Sequence, residues 1–121
     1  MKRDMNLIRR IAIATADLQP GDMLSELPDV DANTFGAHVQ WMLDAGLVEA
    51  KVMGGFPDLI CLVLRLTWAG SDFLDAARDE ALWRRAMSKV LSSGAAFTFE
   101  ILKEALKAEI TKGFPSLRGG A

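Results

Sequence analysis

The chain holds a single cysteine, Cys61, and a single histidine, His38. One cysteine cannot close an internal disulfide, so a reducing, cytoplasmic setting is the natural expectation. With one residue of each kind, a closed zinc site would need carboxylates to complete it, which is uncommon for structural zinc. Neither His-Glu-x-x-His nor Cys-x-x-Cys spacing occurs, and the glycine-rich phosphate loops of nucleotide-binding folds are missing. No metal, cofactor or catalytic residue is therefore expected, and the chain reads as a non-enzyme whose fold should survive a chelator. Long apolar runs are also missing. The longest, Leu59 to Leu64, is too short to span a bilayer, and the opening MKRDMNLIRR lacks the apolar stretch of a signal peptide. No membrane partner is expected. The most informative absence concerns charge. From Gln19 to Ala50 there is no Lys or Arg, while Asp22, Glu26, Asp29, Asp31, Asp44 and Glu49 all fall there.

Half of the 121 residues are hydrophobic and a quarter charged, which excludes a disordered chain and suits one domain with a real core. The organising stretch is Asp31 to Val48. Phe35, Val39, Met42 and Leu43 fall on one stripe of a 3.6-residue helix, with Thr34, Ala37, His38 and Trp41 largely off it. Asp31 can N-cap this helix, and Gly46 sits where a left-handed residue would end it. Upstream, about Asp4 to Leu18 reads as a helix with Leu7, Ile8, Ile11, Ala14 or Thr15, and Leu18 inward, broken at Pro20-Gly21. Asp22 to Pro28 fits a short edge strand or a single helical turn, the strand being preferred.

After Gly46 the period changes to two. Val48, Ala50 and Val52 alternate with Glu49 and Lys51, a turn follows at Gly54 to Asp58, and Leu59 to Leu66 returns as a second strand. That strand is apolar on both sides, which predicts that both faces are covered. Thr67 then caps a helix with Phe73, Leu74 and Ala77 inward. Asp79 and Glu80 open another, lined by Trp83, Ala86 or Met87, and Val90. A last helix from Thr98 carries Leu102, Ala105 or Leu106, and Ile110, with Phe97 and Leu102 as a staple. Trp68 and Trp83 are assigned to the core. The expected fold is mainly α with a small β-hairpin (α+β), a winged helix-turn-helix with extra C-terminal helices. Residues 1–78 form the winged-helix core, 79–113 a helical extension and 114–121 a frayed tail.

His38-Val39 followed by Ala45-Gly46-Leu47-Val48 resembles the recognition-helix segment of winged-helix repressors, including the arsenical-repressor type. Three stretches together resemble a family of small uncharacterised bacterial and prophage proteins. They are Met1-Lys2-Arg3-Asp4-Met5 with Leu7-Ile8-Arg9, the His38 to Val48 block, and Arg65-Leu66-Thr67-Trp68-Ala69-Gly70 continuing into Phe73-Leu74-Asp75 and Arg78. The resemblance covers most of the chain and implies winged-helix-type nucleic-acid binding. One departure is Ser71, which stands where that family is expected to carry a histidine.

The leading functional expectation is a DNA-binding, transcription-regulator-like module. Its Asp31–Ala45 helix would enter the major groove with Asn33, Thr34, Ala37 and His38 near base edges, while Arg9, Arg10 and Lys51 hold the backbone. The acidic span opposes this, since neutralising phosphate supplies most non-specific affinity, so double-stranded DNA binding is expected to be weak. The rival expectation is a non-catalytic protein–protein scaffold in which the same helix and Trp41 face a protein partner. For His38 a packing role weighs about two to one over base contact, for Trp41 the two roles weigh evenly, and Lys51 reads first as a solvated lysine. Arg84 and Arg85 read as a solvated pair. A homodimer built by the C-terminal helices completes the expectation.

Overall fold

In the computed structural model, residues 1–94 and 98–113 are described. Phe97 of the expected staple and the tail 114–121 lie outside them. Asp4 N-caps α1 (Met5–Ala16), its carboxylate accepting the Asn6 and Leu7 N–H groups at 2.9 and 3.3 Å. The buried stripe of α1 is Met5, Leu7, Ile8, Ile11, Ala12 and Thr15. The Thr15 hydroxyl donates to the Ile11 carbonyl at 2.7 Å, so its burial leaves no orphaned donor.

The expected edge strand at Asp22–Pro28 shrinks to one antiparallel bridge between Leu24 and Val63, with N···O distances of 2.9 and 2.8 Å. Left-handed turns bracket the segment, Gly21 at φ 89 and Asp29 at φ 63, and of the residues between them only Leu24 exchanges backbone bonds with β2. Among the described residues no helix stands between this bridge and α2 (Ala32–Asp44). The start of α2 is capped by Asp31, whose carboxylate accepts the Thr34 N–H and hydroxyl. It ends as the sequence predicts, with Gly46 at φ 73, its N–H on Leu43 O at 2.9 Å and the Leu47 N–H on Met42 O at 2.8 Å.

Strand β1 (Val48–Met53) pairs antiparallel with β2 (Ile60–Leu66), Val52 opposite Cys61 and Met53 opposite Ile60. The register shifts between Glu49 and Ala50, so that Leu64 and Arg65 together face Glu49. Val48, Cys61 and Val63 are buried, as is Leu59 just before β2. The other face departs from expectation. Ile60 is 52% exposed and its cross-strand neighbour Met53 47%, so the apolar tip of that face is uncovered. Nothing in the alternation of a strand says where its covering elements stop.

Thr67 precedes α3 (Trp68–Ala77) and ties it down. Its hydroxyl donates to Gly46 O and accepts the Gly70 N–H, while its own N–H donates to Leu47 O at 2.9 Å. Gly70, Phe73, Leu74 and Ala77 are buried on one face. Trp68 falls on the opposite face and is 84% exposed, which corrects its assignment to the core.

By contacts the chain divides into two compact units, Met1–Leu74 and Asp75–Ala121. In the second, α4 (Glu80–Ser92) packs on α5 (Phe99–Gly113), with Trp83, Ala86 and Val90 buried on one helix and Leu102 and Leu106 on the other. Glu109 is buried as well, between Lys112 Nζ and Arg85 Nε, each at 3.2 Å. The Lys112 bond holds its carboxyl below the usual carboxylate range against the cost of burial, with Arg85 adding to it. The result is a mainly helical α+β fold whose helix–bridge–helix–hairpin order is winged-helix-like.

Candidate functional site

The surface to be judged is the outer side of α2 with the hairpin beside it. Gly36 brings the two together. A Cβ there would lie 2.6 Å from Leu59 Cδ2, and the Cys61 thiol already points at Gly36 O across 3.7 Å. Between α2 and the hairpin lies an open groove of ≈ 580 Å³. Its helix wall is Ala37, Gln40, Trp41, Leu43 and Asp44, its hairpin wall Val52 and Phe56, and Met1 reaches in from the amino-terminal arm. Phe56 is 57% exposed and Met1 72%. Asp44 is the only charged side chain in this lining.

His38 is not part of that surface, and its reading as a base contact is corrected here. It is 1% exposed, and both ring nitrogens are engaged. Nε2 accepts the Asp4 N–H at 2.9 Å, and Nδ1 lies 2.7 Å from Thr34 O. A backbone N–H can only donate and a carbonyl can only accept. The two bonds together therefore require the neutral tautomer with its proton on Nδ1. The ring also meets Trp41 edge to face, with centroids 5.0 Å apart at 88°. His38 thus fastens the N-cap of α1 to α2 and sets the Trp41 ring at the edge of the groove.

The other expected contacts scatter. Asn33 is half-buried, and its side-chain oxygen is enclosed without a donor, so it presents little to a partner. Thr34 spends its hydroxyl on Asp31, whose pKa is lowered chiefly by that bond and then by the Thr34 N–H. Ala37 and Trp41 do meet in the groove. Lys51 is exposed but faces away from it, on the side of the hairpin shared with Leu62, its cross-strand neighbour. Arg9 and Arg10 belong to α1. Arg10 donates to Pro28 O at 3.2 Å, bracing the loop before α2, and neither lines the groove. Arg65, the other cation of the hairpin, is held bidentately by Glu49 at 2.6 and 2.9 Å.

The contacts expected from the sequence omit six groove residues, Met1, Gln40, Leu43, Asp44, Val52 and Phe56, and Leu43, expected on the inward stripe, is half-buried in the groove wall. Val52 reads as an inward strand residue and Phe56 as a turn residue. Only the lie of the hairpin against α2 makes them a wall. The signal available was a large apolar residue, Phe56, in a turn that a polar one would have served. Cys61 offers no nucleophile, because burial pushes its thiol up from the ordinary value. Among the described residues, no three His, Cys, Asp or Glu side chains are grouped to hold a metal ion, and no helix is long and apolar enough to cross a membrane.

Comparison with known proteins places this sequence among relatives. The model of the family described as "Hypothetical protein (DUF2513)" matches residues 2–96, most of the chain. An "Uncharacterized protein" of Haemophilus influenzae is similar at 27% identity over 116 residues, covering 93% of this chain and 98% of its own length. No solved structure matches.

Proposed function

The chain belongs to the DUF2513 family, and from that premise we propose that it is a non-catalytic, winged-helix-like protein-interaction module. The groove between α2 and the hairpin takes an apolar segment of a protein partner. One observation carries this reading. The helix face that a DNA-reading module would present is here the wall of a groove lined by Met1, Trp41, Leu43, Val52 and Phe56, with Asp44 as its one charged side chain. Such a surface offers a phosphate backbone no attraction, and it offers an apolar side chain a partly enclosed seat. Trp41, held by His38 and half-buried, has the character of an interface anchor.

The DNA-binding, regulator-like reading stands second, and a specific observation favours it. Met1 lines the groove and the Asp4 N–H is fastened to His38, so the exposed Lys2 and Arg3 between them are carried beside α2. An arm of this kind can supply phosphate contacts that the helix lacks.

One set of titrations separates the two. The whole chain is followed by two-dimensional NMR at the Trp41 indole. One arm adds random-sequence DNA duplex at low and at physiological salt. The other adds an amphipathic model helix of leucine and lysine. The protein-binding reading expects the peptide to shift Trp41, the shift to fall in Asp44→Lys, and duplex binding to be weaker than about 0.1 mM at physiological salt. Tight duplex binding with a steep salt slope, lost in a Lys2→Ala/Arg3→Ala double variant, would replace it with the second reading.

A further inference from the structure

The hairpin has an order and therefore an end. Leu24 bridges β2 on one side and β1 pairs with it on the other, so β1 is the outer strand of the sheet. Among the described residues nothing pairs with the far edge of β1. Glu49, Lys51, Val52 and Met53 along it are all exposed. An open edge is a template for another strand, and a lysine on it normally discourages pairing. Here Glu49, which already holds Arg65 across the hairpin and keeps half its side chain exposed, lies two residues before Lys51 on the same side of the sheet, and that changes the outcome.

We infer that β1 is a self-association edge, where two copies of this chain pair their β1 strands antiparallel about a two-fold axis at Ala50. In that register Glu49 of each copy lies directly opposite Lys51 of the other, giving two opposite-charge pairs on one face. Val48 lies opposite Val52 on the other face, where the Val52 side chain gains cover. The charge pattern also selects the register. Moving the axis to Glu49 sets the two Glu49 side chains against each other, and moving it to Lys51 does the same for the lysines. A shift by one residue would turn one hairpin over and set polar against apolar faces. Only the axis at Ala50 sets the two opposite charges against each other. The paired hairpins make one four-stranded sheet with both α2 helices on the same side. This inference does not depend on what the groove binds.

The test is sedimentation equilibrium of the full chain from micromolar to millimolar concentration, with circular dichroism as the check of folding. Wild type is expected to associate as a dimer. Lys51→Glu and Glu49→Lys each replace two attractive pairs between the copies by two repulsive ones, Glu49→Lys giving up its pair with Arg65 as well, and each is expected to dimerise about tenfold or more weakly. Lys51→Gln should fall between Lys51→Glu and wild type. A one-to-one mixture of Lys51→Glu with Glu49→Lys restores every pair, so it should associate again while each variant alone does not. A wild type that stays at 13.2 kDa throughout overturns the inference. So does a dimer that Lys51→Glu leaves untouched, since its interface must then lie elsewhere.

Discussion

Replacing Gly70 by alanine is a stringent probe of how α3 is seated. An alanine in the first turn of a helix ordinarily helps, by about 1 kcal/mol over glycine. Here the added Cβ would lie 2.9 Å from the Leu47 carbonyl carbon and 3.3 Å from its Cα, with the carbonyl oxygen closer still. That carbonyl cannot step aside. It accepts the Thr67 N–H at 2.9 Å, and the Leu47 N–H is itself held by Met42 O at 2.8 Å. Relief requires α3 to lift from the chain segment leading into β1. Overpacking of this kind costs about 1–3 kcal/mol. The lift also breaks the two bonds Thr67 makes to Gly46 and Leu47, at about 1 kcal/mol each. Set against the propensity gain, the net loss is about 2–4 kcal/mol, or roughly 8–16 °C in Tm at about 4 °C per kcal/mol. Thermal and urea unfolding followed by circular dichroism read it directly. Gly36→Ala should cost less, because its obstacle is the end of the flexible Leu59 side chain, and Gly55→Ala, which meets nothing, should be neutral. A Gly70→Ala variant as stable as wild type, or ranked below Gly36→Ala in cost, would refute the seating argument.

Three further outcomes are expected. In ¹⁵N NMR at neutral pH the His38 ring should show the Nδ1–H tautomer. His38→Phe, which fills the space but strands the Asp4 N–H, should cost about 1 kcal/mol, against about 2–4 kcal/mol for His38→Ala; a His38→Phe variant as stable as wild type would mean that the bond to Asp4 contributes nothing. Asp31 has a folded pKa below its unfolded one, so its stabilisation is complete above the unfolded value of about 3.9 and is lost as pH falls through the folded one. Asp31→Asn keeps a capping oxygen while removing that share of the acid sensitivity, so a melting curve against pH as steep as wild type would contradict the assignment. Trp68 should be freely quenched by acrylamide and Trp83 protected, and Trp68→Ala should change stability by no more than about 0.5 kcal/mol.

The helices and the hairpin, though not the edge strand expected at Asp22–Pro28, were legible in the sequence because each is specified by residues within a few positions of one another. Asp4, Asp31 and Asp79 cap the helices that follow them, Gly46 stops α2 in the left-handed conformation, and the alternation from Val48 marks the hairpin. Periodicity likewise placed Ile11, Val39, Phe73 and Trp83 in the interior. What lay beyond the sequence depends on residues far apart in the chain. His38 sits off the main stripe of α2, yet is buried because Asp4, thirty-four positions away, brings a backbone N–H to it. Glu109 has no inward signal in the sequence, and its burial is made tolerable by Lys112 on its own helix and by Arg85 arriving from α4. Trp68 was drawn inward by its hydrophobicity, but the close approach of Gly70 to Leu47 fixes the rotation of α3 and turns Trp68 outward. The groove follows the same logic. Ala37 and Trp41 were visible as a helix face, whereas Met1, Val52 and Phe56 join them only once Gly36 lets the hairpin close on α2. Local hydrogen bonding and period act through neighbours in the chain, so a sequence displays them. Whether a face meets another element, and which side chain thereby becomes a wall, is a property of packing that only the tertiary structure decides.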